Sequence, residues 1–222
     1  MGRPGGQSGS ARYSLGRDCW LVIMAKEPRA GAVKSRLARD IGSVAATGFY
    51  RRTLDVLARR LGSSPRWNTV LAITPDASIS ASHWPGFVPL MAQGAGDLGE
   101  RMQRIMDEMP PGPLVIVGSD IPDMRPADID RAFGLLGGHD VVLGPAGDGG
   151  YWLVGLKRSP RVPRIFEHVR WSSRHTLADT QANAAGLEVA LTRELEDVDD
   201  GKNYRHLAAG NARLVPPAAR GT

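Results

Sequence analysis

The most constraining feature of this 222-residue chain is a pair of short apolar runs, Trp20-Leu21-Val22-Ile23-Met24-Ala25 and Leu114-Val115-Ile116-Val117. A strand with one wet face alternates polar and apolar residues. An unbroken run therefore reads as a strand buried on both faces, as in a parallel sheet covered by helices. Helical patterns lie between such runs. Leu37, Ile41, Phe49, Leu54, Leu57 and Leu61 predict one long helix that ends with Gly62 as its C′ residue. Further strands are expected at 69–73, 87–91, 140–143, 151–156 and 188–191. Asp97 stands three residues before Glu100, a capping-box spacing that predicts a helix to about Glu108. Pro126 opens another helix, and Ser172-Ser173 caps one running to about Ala185. The alternation predicts an α/β fold with a mostly parallel central sheet flanked by crossover helices. The length suits one domain, taken as residues 19–222, and neither a repeat nor a second boundary is visible.

Composition narrows the function. The first 18 residues are rich in Gly, Ser and Arg, lack the apolar stretch of a secretory signal, and read as a mobile tail or expression remnant. No apolar run approaches the roughly 20 residues of a membrane helix. Cys19 is the sole cysteine, so no intramolecular disulfide can form; this fits the cytoplasm, where the protein is expected. The formal net charge of +5 is scattered, with Arg51-Arg52 and Arg59-Arg60 on a helical pattern as a solvated face. Neither nucleic acid nor membrane is the expected partner; a basic pocket for an anionic small molecule uses the same charge better.

In parallel α/β sheets ligands sit beyond the carboxyl ends of strands. After the first strand, Lys26 to Arg36 holds Gly31, Lys34 and other cations beside a helix start, which suits a polyphosphate or, more plainly, an exposed loop. It is neither a Walker A motif nor GxGxxG. After the 114–118 strand, Asp120 stands where a carboxylate can hold Mg²⁺ or Mn²⁺, or cap a turn; Asp123 suits the capping role better. The glycine-rich stretch 144–150, with Asp148, leaves room against a ligand or makes a tight turn. Near the C-terminus Glu194, Glu196, Asp197, Asp199 and Asp200 crowd together. In an extended segment Asp197 and Asp199 share a side, where they either complete a cation site with Asp120 or form an acidic edge.

Taken together, MAKEPRAGAVKSRLARDIG (24–42), QGAGDLGERM (93–102), GSDIPDM (118–124), GPAGDGGYWLVGL (144–156), Trp171-Ser172-Ser173 and LEDVDD (195–200) resemble the bacterial DUF2064 proteins. These are glycosyltransferase-like proteins linked to arsenosugar biosynthesis. They are similar to guanylyltransferases that activate phospholactate or phosphoenolpyruvate and, more remotely, to molybdenum-cofactor nucleotidylyltransferases. The resemblance spans nearly the whole chain after the tail. It implies a single GT-A-like Rossmann domain of the nucleotide-diphosphosugar transferase fold. Lys26, Gly31, Lys34 and Arg36 would meet the nucleotide phosphates; Gln93, Asp97, Leu98 and Arg101 would lie near base and ribose. Asp148, Gly149, Gly150 and Trp171 would border the acceptor. Asp120, Asp197 and Asp199 would hold Mg²⁺ or Mn²⁺, with Asp120 and Lys34 carrying catalysis. Asp200 and Ser35 stand where the family often has Thr.

The expected function is a metal-dependent transferase using a nucleotide sugar or an NTP and a small-molecule acceptor, glycosyl transfer being favoured. Nucleotidyl transfer to a phosphorylated small acid is the alternative. A non-catalytic nucleotide-binding regulator is the third reading, and the group of carboxylates argues against it.

Overall fold

The computed structural model describes residues 19–210. The expected tail, residues 1–18, lies outside them. A seven-stranded sheet is built from β1 (Trp20–Lys26), β2 (Asn68–Thr74), β3 (Leu90–Ala92), β4 (Leu114–Gly118), β5 (Val141–Pro145), β6 (Tyr151–Leu156) and β7 (Val189–Leu191). Their order is β3-β2-β1-β4-β6-β5-β7. Neighbours are parallel except β6, which runs antiparallel to both β4 and β5. The expected mostly parallel sheet is therefore present, and the reversed β6 is what the apolar runs alone did not show.

Six α-helices accompany the sheet among the described residues: α1 (Ser35–Ile41), α2 (Ser43–Gly62), α3 (Leu98–Glu108), α4 (Pro126–Leu136), α5 (Thr176–Asn183) and α6 (Gly201–Gly210). The unbroken apolar runs explain the layering. Along β1, Leu21, Ile23 and Ala25 enter a core with Leu54, Leu57 and Leu61 of α2 and Ile129, Ala132 and Leu136 of α4. Trp20 and Val22 point the other way, into a core with Met102, Ile105 and Met106 of α3. Both faces are dry, so the run has no polar position to spare.

Local differences from expectation have local causes. The single helix predicted across 37–61 is two helices, because Gly42 takes φ 84°, ψ 150° and breaks the helical path. Gly62 is the last residue of α2 rather than its C′ residue. A Cβ there would lie 2.9 Å from Val88 Cγ2, so Gly62 serves close packing. The edge strand β3 begins at Leu90, later than expected, just after Pro89, which has no N–H for a ladder. Ser172 adopts φ 55°, and α5 starts only at Thr176. The acidic run contains no strand: it crosses from an isolated bridge at Leu195 into α6, which the sequence reading missed.

No described helix is long and apolar enough to cross a membrane. Because β2 lies on one side of β1 and β4 on the other, the connections leaving β1 and β4 diverge at their carboxyl ends. Such a switch in strand order opens a crevice there.

Candidate functional site

Two elements reach that crevice from the sheet. β4 ends at Gly118, and the chain turns through Ser119 and Asp120. β1 ends at Lys26, followed by a loop that leads to Lys34 at the N-cap of α1. Lys34 has φ 50°, ψ 47°, a left-handed conformation that costs a non-glycine residue about 1–3 kcal/mol. A third element arrives from the far end of the chain. The 195–200 segment is anchored by buried Val198, which packs with Phe49 of α2 and with Tyr204 and Leu207 of α6. With Val198 inside, Asp197 and Asp199 are only half-buried, and their carboxylates join Asp120. One oxygen from each of the three lies within 4.8 Å of the others.

Asp200 plays a different part. Its Oδ1 accepts the backbone N–H of Asn203 at 2.8 Å and its carbonyl accepts that of Tyr204, so it caps α6.

Lys34 sits among the carboxylates. Its Nζ donates to Asp120 Oδ2 at 2.9 Å and to Asp199 Oδ1 at 2.7 Å, and its side chain is 4% exposed. Burial disfavours the ammonium charge, but Asp120 and Asp199 outweigh burial and raise its pKa above the ordinary value. Burial likewise opposes ionisation of Asp199, and the charge and hydrogen bond of Lys34 reverse this, holding its carboxyl below the usual range. Asp197 gains no such partner. Burial, then the adjacent Asp199 charge, push it up to about 7 against the pull of Lys34, with Asp120 and Asp148 adding to the rise. Three converging carboxylates with an excess of negative charge fit a hard divalent cation, which binds oxygen donors.

Two chambers flank the triad. The first has a volume of about 430 Å³ and is lined by Lys26, Lys34, Arg36 and Arg101 among others. Asp120 and Asp199 are its only lining carboxylates among the described residues. Arg36 Nη1 stands 3.6 Å from Asp199 Oδ2. The second chamber, of about 320 Å³, is lined by Asp120, Asp148, Gly150, Tyr151, Trp171 and Asp197 among others. Leu98 and Asp120 belong to both chambers. Leu98, 42% exposed at the first turn of α3, is an apolar platform between them.

Several expected residues have different duties. Asp97 forms the capping box of α3 with Glu100 and lines neither chamber; it borders a separate groove. Gln93 lines the first chamber, but its amide nitrogen is spent on the carbonyls of Ala25 and Ala72, tying strand ends together. Gly31 holds a turn with φ 79° and nothing near its Cβ position; the chamber wall begins at Ala32. At Gly149 a Cβ would meet the Arg174 backbone at 2.5 Å, so this glycine docks the 170s loop rather than lining the second chamber. Sequence reasoning missed Tyr50 altogether. Its buried hydroxyl pairs with Ser119 Oγ at 2.8 Å and accepts the N–H of Lys26 at 2.9 Å, bracing the ends of β1 and β4 together. Only its place in the helical pattern, one residue after Phe49, was visible in sequence.

A cationic crevice beside a carboxylate triad, at a strand-order switch, defines a transferase of the nucleotide-diphospho-sugar transferase fold. Known proteins agree. A Desulfovibrio desulfuricans protein described as a candidate nucleotide-diphospho-sugar transferase superposes with TM-score 0.76 at 25% identity, covering 89% of this chain and 97% of that one. A Mycobacterium tuberculosis protein solved as a complex with manganese gives TM-score 0.52 at 20% identity, over 86% of this chain and 97% of its own, a likeness of fold alone. The 2-phospho-L-lactate guanylyltransferase of Methanopyrus kandleri is 30% identical over 195 residues, 86% of this chain and 92% of that protein. The family model "Uncharacterized protein conserved in bacteria (DUF2064)" matches residues 56–173, and the chain belongs to that family.

Proposed function

We propose that the protein is a Mg²⁺- or Mn²⁺-dependent nucleotidyltransferase, in which an acceptor oxygen attacks the α-phosphorus of a nucleoside triphosphate and pyrophosphate departs. The observation that carries this reading is the charge of the first chamber, where four cations face two carboxylates. A triphosphate brings one more phosphate than a nucleotide sugar, with a more highly charged terminal group, and uses those cations more fully. The Methanopyrus kandleri guanylyltransferase supports the same direction and makes GTP the first donor to test.

In this reading Lys26, Lys34 and Arg36 take the phosphates, while Gln93, Leu98 and Arg101 flank base and ribose. Asp120, Asp197 and Asp199 would hold the divalent cation, which when bound supplies charge neutralisation to the phosphates. Lys34 fixes Asp120 relative to Asp199, so the residues at the reacting centre are oriented before substrate arrives. Asp148, Gly150 and Trp171 border the acceptor.

Glycosyl transfer, favoured by the sequence, is the second reading. The aromatic wall of Tyr151, Trp152 and Trp171 supports it, since such rings suit a sugar. The test is a panel of NTPs and nucleotide sugars with Mn²⁺ or Mg²⁺, scored for pyrophosphate and for nucleoside diphosphate. Nucleoside diphosphate from a nucleotide sugar, with no triphosphate consumed, would refute nucleotidyl transfer.

A further inference from the structure

We propose that the second chamber takes an uncharged polyhydroxyl acceptor and rejects a phosphorylated acid. The inference rests on the reading of the first chamber as the nucleotide site and goes beyond it by naming the acceptor's chemistry.

Charge separates the two chambers. The first is lined by four cations, whereas the described lining of the second contains no Lys, Arg or His. Its charged residues are Asp120, Asp148 and Asp197. Arg174 and His175 follow the lining segment but line neither chamber. A divalent cation does not change the sign. Three carboxylates line this chamber, and one such cation would offset two of their charges and leave one, since Lys34 and Arg36 line only the first chamber. Asp148 is held in place by the N–H of Gly150, which its Oδ1 accepts at 2.8 Å. Asp148 is exposed and solvent screens part of its charge, yet a phosphate or carboxylate entering here meets a like charge and no lining cation, which disfavours it.

The remaining wall suits hydroxyl groups on an apolar frame. Trp171 is positioned between Tyr151, at a centroid distance of 6.4 Å, and Phe166, at 6.5 Å. Its indole Nε1 is buried without a hydrogen-bond partner among the described residues, an uncommon state for a donor that normally finds one. Ring faces take the C–H face of a polyol. The Asp148 carboxylate accepts from a hydroxyl. In the transfer, a hydroxyl oxygen bonds to the α-phosphorus, the bond to pyrophosphate breaks with its electron pair leaving on pyrophosphate, and the hydroxyl proton passes to solvent.

The test uses the full chain with Mn²⁺ and α,β-methylene-GTP, which cannot be cleaved at the α-phosphorus. Calorimetry then compares matched probes: glycerol with glycerol 3-phosphate, and glucose with glucose 6-phosphate. Within each pair the uncharged compound is expected to bind at least about ten-fold more tightly. Asp148→Asn and Asp148→Lys should each strengthen binding of the phosphorylated member by about ten-fold or more. The affinity for α,β-methylene-GTP, whose chamber Asp148 does not line, is the control for folding. A wild-type protein that prefers the phosphorylated member overturns the proposal, as does an Asp148 variant that folds and gains nothing for it. Failure of every nucleotide to bind overturns the nucleotide reading and this inference with it, and is distinguishable from an acceptor failure alone.

Discussion

Replacing Lys34 by methionine removes the ammonium from among the three carboxylates while keeping most of the buried stem's volume. The two ion pairs it makes are short, at 2.9 and 2.7 Å. Removing one partner of a fully buried pair costs about 3–5 kcal/mol. Here the carboxylate side chains of Asp120 and Asp199 are 35% and 38% exposed, so solvent screens part of the loss. A cost of roughly 1–3 kcal/mol follows. For a chain of this length that corresponds to a fall in Tm of roughly 2–12 °C without metal. In the variant a divalent cation meets the same carboxylates without the repulsion of the neighbouring ammonium. Saturation at about a hundred times Kd adds about 2.7 kcal/mol of stability, enough to recover most of the loss. Differential scanning fluorimetry across a Mn²⁺ titration should therefore show a larger metal-induced rise in Lys34→Met than in wild type. An equal or smaller rise in the variant would refute the idea that the Lys34 charge opposes cation binding at these carboxylates.

Other expectations follow from single contacts. Asp199→Asn should lose most of the Mn²⁺-induced rise in Tm, whereas Asp200→Ala should cost about 1 kcal/mol as a lost helix cap and keep the metal response; the reverse pattern in the same titration would displace the site. Gly99→Ala would place a Cβ 2.7 Å from Trp171 Cζ2 and 2.9 Å from the Phe166 carbonyl, so a loss of about 1–3 kcal/mol and altered Trp171 fluorescence are expected in urea unfolding. Burial of Asp128 opposes its ionisation, but the hydrogen bonds from Arg193 and the Arg125 N–H outweigh it and hold its pKa low. The stability this gives is present above the unfolded carboxylate value of about 3.9 and is lost as pH falls through the lower folded value. Asp128→Asn should thus be less stable than wild type at pH 7, with the gap in urea midpoint shrinking below about pH 4; a gap that widens there would contradict the assignment.

The sequence by itself determined the layers of this protein. The unbroken runs at 20–25 and 114–117 forced strands that are dry on both faces, and the spacing of Leu54, Leu57 and Leu61 supplied a helix to cover one of them. Local chemistry also fixed the capping box at Asp97 and Glu100, because its partners are three residues apart. The motifs pointed to the carboxyl ends of β1 and β4 and named Asp120, Asp197 and Asp199. Only the tertiary structure brought those three together, across separations that no periodicity encodes, by burying Val198 against Phe49 and Tyr204. It alone reversed β6, since an apolar strand carries no sign of its direction. It tied the Gln93 amide to the strand ends, and set Lys34 between two carboxylates through a left-handed backbone that its residue type does not announce. The division has a physical reason. Burial and capping act over a few neighbouring residues and leave a periodic trace, whereas the electrostatics of a site depend on which distant charges the packed core brings within a few ångströms of one another.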